Sequence, residues 1–84
     1  MSGEEILAAV AALARDKLGY EGELSGAMRL VEDLELDSIR LMTLAMEVED
    51  RFRICLDEDD EAAIVTVADL IATVGRKLES KDAP

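Results

Sequence analysis

The sequence predicts an all-α protein, a small four-helix bundle of three longer helices and one short helix. Three observations carry that expectation. Leucine, isoleucine and valine recur at three- and four-residue spacing in three separate stretches, and a helix-capping residue type stands at the start of each. The third observation is size: 84 residues, 50% of them hydrophobic, suffice for one modest core. They do not suffice for a catalytic cleft plus a separate binding domain. A single domain over 1–84 is expected, its core from about 3 to 78 and a flexible polar tail over 79–84.

Ser2 followed three places later by Glu5 has capping-box spacing, and Ile6, Leu7, Val10, Leu13, Ala14 and Leu18 then share a face, predicting a helix from about Gly3 to Leu18. Gly19 tolerates the left-handed geometry in which helices often end. From Gly19 to Leu36 the signals are mixed. Gly22, Ser25 and Gly26 break regularity, while Leu24, Met28, Leu30, Val31, Leu34 and Leu36 are apolar enough to pin so long a connection.

A second helix should start at Ser38, with Asp37 or Ser38 as its N-cap, and run to about Arg51 or Phe52. Its inward stripe is Leu41, Leu44, Ala45, Val48 and Phe52, helped by Met42; Arg40, Thr43, Glu47 and Asp50 fall on the outward face, with Met46 beside it. Ile54 and Leu56 alternate with Arg53 and Cys55, which suggests a short extended connector with Cys55 outward. The acids from Asp57 to Glu61 then lead into Ala62, Ala63 and Ile64, a short helix whose first turn favours negative charge. An EF-hand reading of this run fails for want of the central glycine and terminal glutamate. Thr66 with Asp69 begins the last helix, where Val67, Leu70, Ile71, Val74 and Leu78 form the apolar stripe and Arg76 and Lys77 suit the C-terminal end. No internal repeat is evident.

Composition excludes several functions. With 20 acids against 9 bases the net charge is -11, which repels nucleic acid and anionic membrane surfaces and favours basic protein partners. The only aromatics are Tyr20 and Phe52, so bases find no stacking platform. Histidine is absent, which removes Ser-His-Asp and Cys-His pairs and every His-bearing metal site; neither a catalytic residue nor a metal is expected. Cys55, the single cysteine, rules out an internal disulfide and a CxxC motif and reads as a free thiol in a reducing compartment. Glu4 and Glu5 ahead of the alanine-rich run are unlike a secretory signal, and no apolar run is long enough to span a bilayer, so a cytoplasmic protein without membrane insertion is expected.

The run LVEDLELDSIRLMTLAMEVEDRF, with the triplet Asp37, Ser38 and Ile39 at its centre, resembles the attachment-site segment of acyl carrier proteins. The resemblance extends from Ile6 to Leu78, and it rests on position: the triplet follows Leu34 and Leu36, precedes Leu44, Val48 and Phe52, and lies upstream of an acidic short helix and Thr66. It implies a bundle of acyl-carrier type and a protein that is a carrier and not an enzyme. Ser38 would bear 4′-phosphopantetheine, delivered from coenzyme A by a phosphopantetheinyl transferase, with acyl groups held on its thiol as thioesters. Physically, an anion at a helix start is well placed.

The resemblance further implies that Asp37 caps the helix or helps hold the transferase's magnesium. Ile39 is either an exposed contact for partners or a partly buried core residue. Arg40, Thr43, Met46, Glu47, Glu49 and Asp50, with the acids from Asp57 to Glu61, would meet acyl-loading, elongating or transferring enzymes through basic docking surfaces. A monomer serving fatty acid, polyketide or related specialised biosynthesis is implied. Arg40 and Thr43 stand where fatty acid synthase carriers commonly have acids, which points to a dedicated pathway. A stand-alone peptidyl or aminoacyl carrier is the alternative, although Glu35 and Leu36 replace the glycine-rich segment usual there. A non-catalytic acidic helical interaction module, with Ser38 an ordinary N-cap, is the more remote one.

Overall fold

Ser2 and Glu5 close the capping box that their spacing predicts: the Ser2 hydroxyl accepts the Glu5 N–H at 3.2 Å, and the Glu5 carboxylate accepts the Ser2 N–H at 3.4 Å. Helix α1 (Gly3–Leu18) follows and ends at Gly19, whose φ of 72° is the left-handed conformation glycine adopts without strain. The structure, a computed structural model, describes residues 2–82. Three more helices complete it: α2 (Ser38–Phe52), α3 (Glu58–Ala63) and α4 (Val67–Asp82).

The long connection from Gly19 to Asp37 is held from both directions. Leu30, Leu34 and Leu36 are buried, with Leu24 and Met28 packed against the same cluster. Its backbone also pairs with the entry to α4: Leu30 N–H to the Val65 carbonyl at 3.0 Å, Val67 N–H to Met28 at 2.8 Å and Ala68 N–H to Gly26 at 2.9 Å. Val31, read from the sequence as another pin, is exposed instead. In the turn of the loop around Arg29, that guanidinium pairs with Glu32 at 2.7 Å.

A single core gathers Ile6 and Val10 of α1, Leu44, Val48 and Phe52 of α2, and Val67, Leu70 and Val74 of α4. The helical stripes therefore meet as periodicity requires, and burying such side chains stabilises by about 1.5 to 3 kcal/mol each. Arg53, expected to begin an extended connector, is instead the left-handed cap of α2 at φ 55°, and Cys55 is exposed as expected. Helix α4 continues through Asp82, a turn beyond the end of its apolar stripe at Leu78. Polar residues such as Glu79 and Lys81 extend a helix already nucleated by packing. The last two residues of the expected tail, Ala83 and Pro84, lie outside the described residues.

Candidate functional site

The two candidates for the N-cap of α2 resolve in favour of Asp37. Its backbone is extended and its Oδ1 accepts the Arg40 N–H at 2.8 Å, satisfying one of the orphan donors of the first turn. Capping thus leaves the neighbouring hydroxyl free. Ser38 is the first helical residue, exposed, in a first turn that contains no acid. The dipole there is positive, and with the Asp37 carboxylate taken up by the Arg40 amide, the Ser38 and Ile39 amides remain for an added anion.

Beside Ser38 lies a cavity of about 210 Å³. Leu30, Leu41, Leu44, Ala45, Leu56, Ile64 and Leu70 give it an apolar lining, and the exposed residues Ser38, Met42 and Glu61 form its rim. Helices α2 and α3, the connector between them and α4 therefore enclose one apolar space next to one exposed hydroxyl. A phosphodiester group on Ser38 fits this donor set, because the anion falls beside first-turn amides while anything attached beyond it lies within reach of the cavity.

The outward face of α2 is turned by about one residue from the sequence expectation. Ile39, Met42 and Met46 are exposed by 75%, 64% and 62%, and Asp50 continues their stripe. Met42, counted inward, is the residue that shifted the reading: methionine's hydrophobicity marks it as core, yet its flexible thioether is also common on adaptable surfaces. Ile39 is the exposed alternative of the two considered. Arg40 is exposed as well, whereas Thr43 and Glu47 are half-buried shoulders. Thr43 returns its hydroxyl proton to the Ile39 carbonyl at 3.0 Å.

Several acids assigned to partner contact are already engaged within the fold. Glu49 Oε2 accepts the Leu56 N–H at 2.9 Å, fixing the connector to α2. Asp57 caps α3 by accepting the Asp60 N–H at 2.8 Å. Asp60 is buried and pairs with Lys77 at 2.8 Å and Arg76 at 3.2 Å. The hydrogen bond from Lys77, followed by that from the Asp57 amide, holds the Asp60 carboxyl below its usual range, and Asp60 in turn raises Lys77. Glu58, Asp59 and Glu61 remain exposed. The Asp57 and Asp60 spacing carries a capping-box signal that could have revealed the local half of this arrangement. Nothing in the sequence pairs Asp60 with Lys77. Asp69, capping the start of α4, is also lowered, by the Thr66 and then the Val65 amide.

Among the described residues no group of three or more potential ligands could hold a metal ion, and no helix is long and apolar enough to cross a membrane.

Comparison with known proteins agrees with this geometry. The family model for the phosphopantetheine attachment site matches residues 8–74. An acyl carrier protein of an Exiguobacterium strain is 33% identical over 79 residues, covering 93% of this chain and all of that one. The meromycolate extension acyl carrier protein of Mycobacterium tuberculosis is 31% identical over 94% of this chain and 69% of its own length. Among solved structures, the crystal structure of an acyl carrier protein from Thermotoga maritima superposes with a TM-score of 0.85 at 30% identity, covering 98% of this chain and 96% of that one. A four-helix fold, a family match across the site and full-length relatives converge: the chain belongs to the acyl carrier protein family, whose members bear 4′-phosphopantetheine and act as carriers for enzymes, not as catalysts.

Proposed function

We propose that Ser38 is the attachment residue and that the protein presents acyl thioesters to enzymes of fatty acid or related specialised biosynthesis. The observation that supports this best is an exposed, uncommitted hydroxyl at the start of α2, on the rim of the apolar cavity. When bound, the prosthetic group supplies a thiol on a long arm, able to hold a carboxylic acid as a thioester. The chain's own part is to expose Ser38, to favour the phosphodiester through the first-turn amides, and to offer apolar space for cargo. Asp37 fixes the helix start and, in the transferase complex, helps to hold magnesium.

An acyl cargo is favoured over an aminoacyl one by the cavity's lining. Burying an ammonium group among leucines would carry a large desolvation penalty, whereas an alkyl chain gains from the same surroundings. Glu35 adopts the left-handed conformation at φ 56° without a glycine, so the segment before Ser38 also departs from the glycine-rich pattern of peptidyl carriers. The relatives named for meromycolate extension are in keeping with a role in fatty acid biosynthesis.

The working form is one carrier domain, monomeric and cytoplasmic, that meets a phosphopantetheinyl transferase and then acyl-handling enzymes whose basic surfaces complement its charge of -11. Incubation with coenzyme A, magnesium and a broad-specificity transferase should add one phosphopantetheine to the wild type and none to Ser38→Ala, read by intact mass. Modification that persists in Ser38→Ala, or a wild type inert to several transferases, would overturn the assignment.

A further inference from the structure

Of the residues that line the cavity, Ser38 and Glu61 alone have polar side chains. With Ser38 esterified, Glu61 is the one lining side chain whose polar group is still free. We propose that Glu61 selects the cargo the cavity shelters, accepting a hydrogen bond from a hydroxyl on the third carbon of an acyl thioester and disfavouring a ketone there. The inference rests on Ser38 as the attachment residue, since that tether brings the thioester end of the cargo to this rim.

The fold places Glu61 at the mouth and leaves its carboxylate uncommitted. Ile64, three residues on, lines the cavity with it, whereas the exposed acids Glu58 and Asp59 do not border that space. The turn is closed by the Glu61 N–H on the Asp57 carbonyl at 3.0 Å and the Ile64 N–H on the Glu61 carbonyl at 3.3 Å. Neighbouring Asp60, bonded to Lys77 and Arg76, fixes how α3 is rotated against α4. Glu49, Asp57 and Asp69 each accept a backbone amide, and among the described residues no base pairs with Glu61.

An acyl group tethered through its carboxyl end can enter the cavity only tail first, so the carbons next to the thioester are those left at the rim. Glu61 therefore meets that end of the cargo. An ionised carboxylate only accepts hydrogen bonds: a hydroxyl can donate to it, a ketone cannot, and a second carboxylate would meet like charge. The third carbon is where condensation of two thioesters leaves a ketone, so hydroxyl and ketone are alternative states of cargo that such a carrier meets. A bond to a charged acceptor on a partly solvated rim should favour the hydroxyl by about fivefold. Selection then comes both from the bond made and from the lone pairs set against each other in the ketone.

The test loads wild type, Glu61→Gln and Glu61→Ala with octanoyl, 3-hydroxyoctanoyl or 3-oxooctanoyl arms, short chains suited to a cavity of about 210 Å³. A broad-specificity transferase supplies them from the coenzyme A thioesters, and intact mass and thermal melting check each product. Failure to load, or loading that survives Ser38→Ala, strikes the assignment of the serine, independently of selection. Hydroxylamine cleavage of each loaded thioester is then divided by that of the matching coenzyme A thioester, which leaves the protection due to the protein. In the wild type the hydroxy chain should be protected about fivefold more than the oxo chain. Glu61→Ala should bring the two close to equal, and Glu61→Gln, whose amide both accepts and donates, should lie between. The ratio is taken within each protein, so a loosening of α3 that affects every chain, read by the octanoyl arm, cancels. If Glu61→Ala fails to fold, Glu61→Gln carries the comparison. An unprotected octanoyl arm in the wild type, or a hydroxy-to-oxo ratio unchanged by the substitutions, would overturn the proposal.

Discussion

Lys77 Nζ lies 2.8 Å from Asp60 Oδ2, joining the middle of α4 to the six-residue helix α3. A helix that short has little stability of its own, so what holds it comes from its cap and its neighbours. Asp60 takes part in both: it closes the capping box with Asp57 and accepts from Lys77 and Arg76. Because Glu61 and Ile64 border the cavity beside Ser38, this one carboxylate positions a wall of the candidate site.

Asp60→Asn should therefore loosen α3 and change the acid limb of the stability curve. The Asp60 carboxyl is held below its ordinary value in the folded state, so its contribution is present at neutral pH and is lost as pH falls through that lowered value. Lys77 is raised, so its contribution holds through neutrality and is lost only as pH climbs past its elevated value. Melting temperatures from about pH 7 to pH 2 should fall less steeply for Asp60→Asn than for the wild type, from a lower start. Parallel curves would mean that the pair contributes nothing to folding.

Phe52 and Met42 separate the buried from the exposed face of α2. Phe52 is buried, and Phe52→Ala should cost about 3 to 5 kcal/mol in denaturant melts, a large share of a small domain's stability. Met42→Ala should change stability by only about 0.5 kcal/mol, as exposed substitutions do. Comparable losses would place Met42 in the core after all.

That contrast also marks what the sequence could reveal. Stripes such as Ile6, Val10 and Ala14, or Val67, Leu70 and Val74, depend on local period and were legible, as were the caps at Ser2 and Thr66, whose partners lie three residues away. The start of α2 at Ser38 was legible in the same way. The centre of the α2 face was not, because a flexible apolar side chain fits either side of an amphipathic boundary. The backbone pairing of Leu30 with Val65 and the bond between Asp60 and Lys77 were hidden too, since they join residues distant in sequence and depend on how the helices are packed.

Glu49 gives a local probe of the connector that precedes α3. Its carboxylate accepts the Leu56 N–H, and Leu56 lines the cavity, so Glu49→Ala removes the amide's partner without touching the apolar core. A loss of about 1 kcal/mol is expected, together with faster hydrogen exchange at the Leu56 amide. Unchanged exchange there would show that the bond does not hold the connector.

On the proposed function, Asp37 and Ser38 divide structural and chemical work at adjacent positions. The cap is made by the Asp37 carboxylate on the Arg40 amide, whereas the Ser38 hydroxyl lies exposed beyond it. Asp37→Ala should therefore cost about 1 kcal/mol, and Asp37→Asn, which retains a capping oxygen, should recover most of it. Ser38→Ala, a change to a stronger helix former that removes no cap, should leave the melt within about 0.5 kcal/mol of the wild type while abolishing phosphopantetheine transfer. The combination distinguishes an attachment serine from an ordinary capping one. A large loss of stability in Ser38→Ala, with Asp37→Ala neutral, would transfer the capping role to the serine and remove the structural reason for its availability.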